Sequence, residues 1–195
     1  MPRIIGGSGR GRRLKTAAGE RTRPTGARVR QSLFDMLAPA IPGCRVLDAF
    51  AGNGTVGLEA LSRGAAQVVL VDSDAAAVAA AQENALALAR SGGEVRVFRQ
   101  DARTAIGALA DQGMRFDVVY LDPPYASDLY EALLRLLGEG PLLAAGGVVV
   151  AEHFHKRFLP ERIGALARMR TKRVGDHVLS FYSRAAEAGG GTEAE

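Results

Sequence analysis

Tyr120-Leu121-Asp122-Pro123-Pro124-Tyr125 is the stretch of this sequence with the clearest chemistry. The apolar run before Asp122 reads as a strand, which puts that carboxylate at the carboxyl edge of a sheet, where open α/β folds bind ligands. Two prolines remove two backbone donors and stiffen the turn. Asp122 and the Pro123 carbonyl thus make an acceptor pair with no competing donor. Such a pair can hold both hydrogens of an exocyclic amine on a nucleobase and aim the nitrogen lone pair at an electrophile. Tyr125 offers a ring for the base to stack on, as a pocket for an extruded nucleotide requires.

A second constellation lies upstream. Gly52-Asn53-Gly54-Thr55-Val56-Gly57 is a GxGxxG loop after a strand and before a helix, and Asp72 follows Gly52 by 20 residues. Alone, this pattern also suits a dinucleotide site, with glycines for close approach and an acid for ribose hydroxyls. Asp48 changes the balance, because it closes the strand four residues before Gly52. An acid aimed into the loop repels pyrophosphate but suits a nucleoside carrying an ammonium group. S-adenosylmethionine has that shape, with its ribose toward Asp72 and its ammonium toward Asp48. Asp101, just after the third strand, stands where it can accept from an adenine amino group.

These residues need a scaffold of alternating elements. Strands are expected at Arg45–Phe50, Gln67–Asp72, Glu94–Arg99, Phe116–Leu121, Gly147–Glu152, Ala165–Val174 and His177–Ser183. The last two are joined by Gly175-Asp176, a hairpin signal. Helices are expected from Ala27 to Ala38 with Thr25 as cap, from the glycine loop to Arg63, and over Ala75–Arg90, Arg103–Gln112 and Ser127–Leu137. Repeated β-α units make a mostly parallel sheet covered on both faces. The fold class is therefore α/β, a Rossmann-like seven-stranded sheet with a C-terminal antiparallel hairpin. Residues 1–26 form a basic extension, 27–184 the domain, and 185–195 an Ala/Gly/Glu-rich tail expected to be disordered.

Charge is unevenly distributed over the 195 residues, whose net charge is +4. Residues 1–30 hold nine Lys and Arg against Glu20 alone. Arg10, Arg12, Arg13, Arg23, Arg28 and Arg30 are candidate contacts to RNA phosphates, since arginine suits bidentate phosphate binding. Gly6, Gly7, Gly9 and Gly11 suggest an arm that orders only on binding. Arg168, Arg170 and Lys172, spaced by two, would share one face of a strand. One cysteine, Cys44, permits neither an internal disulfide nor a Cys-rich zinc site, and packs as a small hydrophobe. His153, His155 and His177 show no partner pattern, so surface or loop positions are expected. No apolar run approaches the roughly 18 residues of a membrane span, and no secretory signal is evident. A cytoplasmic monomer that does not engage membranes is the expectation.

At these residues the chain resembles the S-adenosylmethionine-dependent amino-methyltransferases, and more closely the bacterial 16S ribosomal RNA guanine-N2 methyltransferases of the RsmD type. The resemblance runs from about Arg3 to Ser183. It includes Arg3-Ile4-Ile5-Gly6-Gly7, Thr22-Arg23-Pro24-Thr25, Arg28-Val29-Arg30, Leu47-Asp48, Ala51-Gly52-Asn53-Gly54 and Gly57-Leu58-Glu59-Ala60-Leu61-Ser62-Arg63-Gly64. It implies methyl transfer from S-adenosylmethionine to guanine N2 in 16S RNA of the small ribosomal subunit or its assembly intermediate. Asp48, Gly52 and Gly54 would hold the methionine end, Asp72 the ribose and Asp101 the adenine. Asp122, Pro123 and Tyr125 would hold the guanine. Ala27 and Gln31 stand where the family usually carries acids, which bears on substrate contacts more than on reaction type. Methylation of DNA adenine N6 or cytosine N4 is the neighbouring alternative, and a non-catalytic RNA-binding protein on the same fold is another.

Overall fold

The computed structural model describes residues 1–16, 26–88, 92–124 and 128–185. Its sheet has eight strands in the order β3-β2-β1-β4-β5-β8-β7-β6. β1 (Arg45–Asp48), β2 (Gln67–Asp72), β3 (Glu94–Arg99), β4 (Phe116–Leu121) and β5 (Leu143–Phe154) are parallel. β8 (His177–Arg184) runs antiparallel to β5, followed by β7 (Leu166–Val174) and β6 (Arg162–Ile163). The seven strands expected are present, and β6 is an eighth whose two residues are too few to leave a periodic signal. The strand order reverses at β1, and that reversal opens the crevice in which α/β sheets bind ligands.

Continuous apolar runs make the central strands, because both faces are covered. Val68, Val69, Leu70 and Val71 of β2 are all 0% exposed. Val46, Val68, Leu70, Val118 and Val150 face one core with α1 (Ala27–Leu37), α2 (Thr55–Ser62) and α3 (Ala75–Ala87). Leu47, Val69, Val71, Val119 and Val149 face the other, with α4 (Ala102–Asp111) and α5 (Leu129–Glu139). In α4 the buried set Ala102, Ala105, Ile106 and Leu109 follows the helical repeat, as Tyr130, Leu133, Leu134 and Leu137 do in α5. Cys44 is buried among the first core, and burial raises its thiol to about 11. Gly26, with no side-chain bond, precedes α1; Thr25 lies outside the described residues, as does the tail 186–195.

The amino-terminal glycines do not make residues 1–16 a loose arm. Ile4 N–H donates to the Arg12 carbonyl at 3.0 Å, Leu14 N–H to that of Pro2 at 2.9 Å, and Arg3 bridges Arg13. Ile4 and Leu14 are each 1% exposed in the α1–α3 core. The Glu59 carboxylate on α2 accepts the Ile5 and Gly6 N–H groups, both at 2.8 Å, while Ser62 bonds Ser8, Gly9 and Gly6. Gly7 explains the composition. Its φ is +72°, and a Cβ there would lie 1.7 Å from the Ser62 carbonyl oxygen. Close packing, rather than freedom, is the use of this glycine.

The β7–β8 hairpin closes through Gly175-Asp176 as expected, with Val174 paired to His177. A bulge corrects the reading of the basic cluster on β7. The register jumps from Arg168↔Tyr182 to Arg170↔Phe181, so Arg168 and Arg170 point to opposite faces. Arg170 stacks over Phe181 and donates to the Met36 carbonyl, whereas Arg168 bonds the Leu159 carbonyl on the other side.

Candidate active site

β1, β2 and β4 bring the sequence-predicted acids to one edge. Asp48 pairs in register with Tyr120, and Ala49 N–H donates to the Tyr120 carbonyl at 3.1 Å, so the chain leaves β1 beside the Asp122 turn. Gly52 N–H donates to Asp72 Oδ2 at 2.8 Å, and Asp74 N–H to Asp72 Oδ1 at 2.9 Å. Asp72 therefore shapes the glycine loop as well as facing it. Gly54 begins α2 with φ +83°, and a Cβ on it would meet Leu70 and Leu58 near 3 Å. The loop is held tight between β1 and β2 because no side chain fills that space.

Asp48 is 1% exposed. Its Oδ2 accepts Gly57 N–H at 3.0 Å, while its buried Oδ1 has no hydrogen-bond partner among the described residues. Burial drives the carboxyl up to about 7; the Gly57 and Phe50 N–H groups oppose the rise, and the negative charges of Asp72 and Glu152 add to it. A buried carboxylate oxygen with no full hydrogen bond among the described residues fits an ammonium-bearing ligand. It does not fit a pyrophosphate. Asp72 one strand away supplies acceptors for hydroxyls, so these residues fit the nucleoside expected from sequence.

The remaining candidates divide. Asp101 caps α4, with Oδ1 accepting Arg103 N–H at 2.9 Å and Thr104 N–H at 3.2 Å. Asp122 is half-buried and Pro123 buried; Tyr125 lies outside the described residues, as does Arg23. Arg10, Arg12, Arg13 and Arg28 are exposed. Arg30 is not. At 2% exposure it donates Nη2 to the Arg3 carbonyl at 3.0 Å, and burial lowers its guanidinium against the raising influence of Glu59, Tyr120 and Glu152. Its place in the Val29–Leu33–Phe34 stripe of α1 turns it inward, so it braces the amino-terminal hairpin and is removed from the list of phosphate contacts.

Several residues at this edge escaped the sequence reading. Asn84 Oδ1 accepts Lys15 N–H at 2.8 Å, and its Nδ2 donates to the Lys15 carbonyl at 3.0 Å and the Asn53 carbonyl at 2.9 Å. Asn53 Nδ2 also reaches the Lys15 carbonyl, at 2.8 Å. The amino-terminal hairpin is thereby stitched to the glycine loop. Asn84 shares the buried stripe of α3 with Ala77 and Ala81, and a polar residue in that phase was the available signal.

The histidines also have structural partners. Glu152, buried on β5, accepts from Tyr120 Oη and lies 2.6 Å from His177 Nδ1. His153 Nε2 lies 2.9 Å from Ser180 Oγ, and burial lowers its pKa. A surface position for His153 is thus corrected, whereas His177 is half-buried where β8 leaves the hairpin turn.

The family described as Conserved hypothetical protein 95 matches residues 2–183. Ribosomal RNA small subunit methyltransferase D of Escherichia coli K12 is 36% identical over 185 residues, 95% of this chain and 91% of that one. YlbH of Bacillus subtilis is 40% identical over 182 residues, 93% of this chain and 98% of its own length. The structure of yhhF from Escherichia coli aligns with a TM-score of 0.82 at 34% identity, covering 95% of this chain and 99% of that one. Its fold and its near full-length likeness to these relatives lead to one conclusion: the chain belongs to the Conserved hypothetical protein 95 family.

Proposed function

We propose that the protein transfers a methyl group from S-adenosylmethionine to the exocyclic N2 of a guanine in 16S ribosomal RNA of the small subunit. The observation that carries this reading is the pairing of two acidic acceptors across neighbouring strands. Asp48, with one buried oxygen that meets no full hydrogen bond among the described residues, ends β1, and Asp122 follows the end of β4 two residues beyond Tyr120, the register partner of Asp48. Parallel strands lie about 4.8 Å apart, so a cofactor held at one reaches a base held at the other.

S-adenosylmethionine, when bound, supplies an electrophilic methyl group on its sulfonium. The chain's residues position the reactants around it. Asp48 accepts from the ammonium and Asp72 from the ribose hydroxyls, with Gly52 and Gly54 allowing close approach. Asp101 keeps acceptor sites on the carboxylate oxygen not used for capping α4, and these serve the adenine amine. Asp122 and the Pro123 carbonyl accept the two N2 hydrogens of guanine, and Tyr125 stacks on the ring. Catalysis on this reading is positioning of a lone pair against a methyl group: the N2–carbon bond forms as the sulfur–methyl bond breaks, the neutral thioether leaves, and one N2 proton passes to Asp122 or water, without any covalent enzyme intermediate. Arg10, Arg12, Arg13 and Arg28 contact phosphates, and Arg23 belongs to the same basic segment. The names of the relatives support ribosomal RNA of the small subunit as the substrate.

The test uses the purified protein, methyl-labelled S-adenosylmethionine and small subunits lacking the modification, with nucleoside analysis of the product. Label in N2-methylguanosine is the expected outcome. Label in another nucleoside overturns the base assignment, and absence of label despite cofactor binding overturns the substrate.

A further inference from the structure

Two segments, not one, carry the basic charge. Residues 155–173 hold seven Lys and Arg against Glu161 alone, while outside this segment and residues 1–30 the chain has nine basic residues against nineteen acidic. The two lie at different places. The hairpin of residues 1–16 turns at Gly7–Arg10 beside Ser62, the last residue of α2, which points toward the amino edge of the sheet. The second segment begins at the carboxyl edge, where Asp48 and Asp122 stand.

Its position follows from register. Ala151 of β5 pairs with Leu121, and β5 continues three residues further to Phe154. At about 3.3 Å per residue, the loop after β5 stands roughly 10 Å above the start of the Asp122 turn. Arg157 ties that loop to the segment leaving the turn, lying 3.8 Å from Asp128 and over the Tyr130 ring. His155 pairs with Asp176, which brings the β7–β8 turn to the same rim. Lys156 on this loop and Arg173, whose Nε holds the Gly175 carbonyl of that turn at 2.9 Å, are exposed.

Phe158 is the unexpected member. It is 92% exposed, although the loop around it is anchored. Leu159 next to it is 6% exposed in the α4–α5 core, Arg168 Nη1 holds the Leu159 carbonyl at 2.8 Å, and Tyr182 Oη holds that of Pro160 at 2.8 Å. An aromatic ring kept in water on an anchored loop, two residues from the exposed Lys156, matches how single-stranded nucleic acid is bound: bases stack on the ring while cations meet the phosphates.

We infer that the loop at residues 155–158, with Arg173 on the adjoining β7–β8 turn, is an RNA-docking surface in which Phe158 stacks on an unpaired base next to the target nucleotide and Lys156 contacts the backbone. This rests on the RNA-methylating function proposed above. It adds a contact at the catalytic rim to those of the amino-terminal hairpin.

The experiment measures methylation rates and subunit binding for full-length wild-type, Phe158→Ala, Phe158→Trp and Lys156→Ala proteins, with S-adenosylmethionine affinity as a control for folding. Phe158→Ala is expected to raise KM for the RNA substrate about tenfold, with kcat and salt dependence little altered, because stacking releases few counterions. Phe158→Trp restores the wild-type KM. Lys156→Ala lowers the slope of log affinity against log salt by about 0.7. A Phe158→Ala enzyme with wild-type KM overturns the inference. So does a wild-type dimer that Phe158→Ala dissociates while KM stays unchanged, since the ring then covers a second copy. Wild-type protein that methylates and captures no RNA overturns the functional proposal first, and this surface with it.

Discussion

Gly57 N–H donates to Asp48 Oδ2 at 3.0 Å and leaves the other carboxylate oxygen buried and without a hydrogen-bond partner among the described residues. The helix that follows the glycine loop thus fixes the rotamer of an acid whose remaining oxygen serves a ligand. A Cβ on Gly57 would lie 2.3 Å from Leu70 and 2.9 Å from Val68, so this close approach of α2 to the sheet requires glycine.

The titration of Asp48 has a direction in both stability and binding. Its folded pKa is raised to about 7, against about 3.9 for an aspartate in an unfolded chain. Between these values the folded protein holds a proton that the unfolded chain has lost. This group's stabilising contribution is therefore full below about pH 4 and disappears as the pH rises through 7. A ligand ammonium reverses the preference by favouring the carboxylate. S-adenosylmethionine should bind more tightly at pH 7.5 than at pH 6, and calorimetry on Asp48→Asn should show weaker binding with that pH dependence flattened. An unchanged pH profile in the variant would remove Asp48 from the cofactor site.

Asp122→Ala should separate cofactor from substrate. Its partner is the base amine, so methyl transfer is expected to fall by about a hundredfold or more while S-adenosylmethionine affinity stays within a few-fold of wild type. Labelled-methyl incorporation and equilibrium binding on the same preparation measure both. Wild-type turnover would sink the assignment.

The arginines of the amino-terminal region should sort by burial. Replacing exposed Arg10, Arg12 and Arg13 by Ala is expected to weaken RNA binding and cut the salt slope by about two, at roughly 0.7 to 0.9 per phosphate contact. Arg30→Ala should instead cost stability, about 2 to 4 kcal/mol, because it removes a buried group that holds the Arg3 carbonyl. Urea midpoints and salt titrations of the two variants distinguish these effects.

Glu59→Gln tests whether the hairpin is docked or loose. The carboxylate accepts from Ile5, Gly6 and Arg63, each at 2.8 Å, and the amide places a donor against donors. A loss of about 2 to 3 kcal/mol is expected, with faster proteolysis within residues 1–16. A urea midpoint equal to that of the wild type would show that the docking contributes nothing.

How much was legible in the sequence depends on the range of the interaction involved. Alternating apolar runs, the Gly175-Asp176 turn, the GxGxxG loop and the acids ending successive strands are local patterns, and they determined the doubly wound sheet and the edge at which Asp48, Asp72 and Asp122 gather. Side-chain direction and burial are not local. The same arginine type is exposed at Arg12 and buried at Arg30, and only the packing of α1 against the amino-terminal hairpin separates them. Gly7 and Gly9 read as freedom in one dimension and serve close contact with Ser62 in three. One extra residue at the β7 bulge turned Arg168 away from Arg170, since strand faces alternate with a period of two. Composition and period chose the architecture; tertiary packing decided which charges meet water, because the desolvation of a charged group depends on what surrounds it and not on its neighbours in the chain.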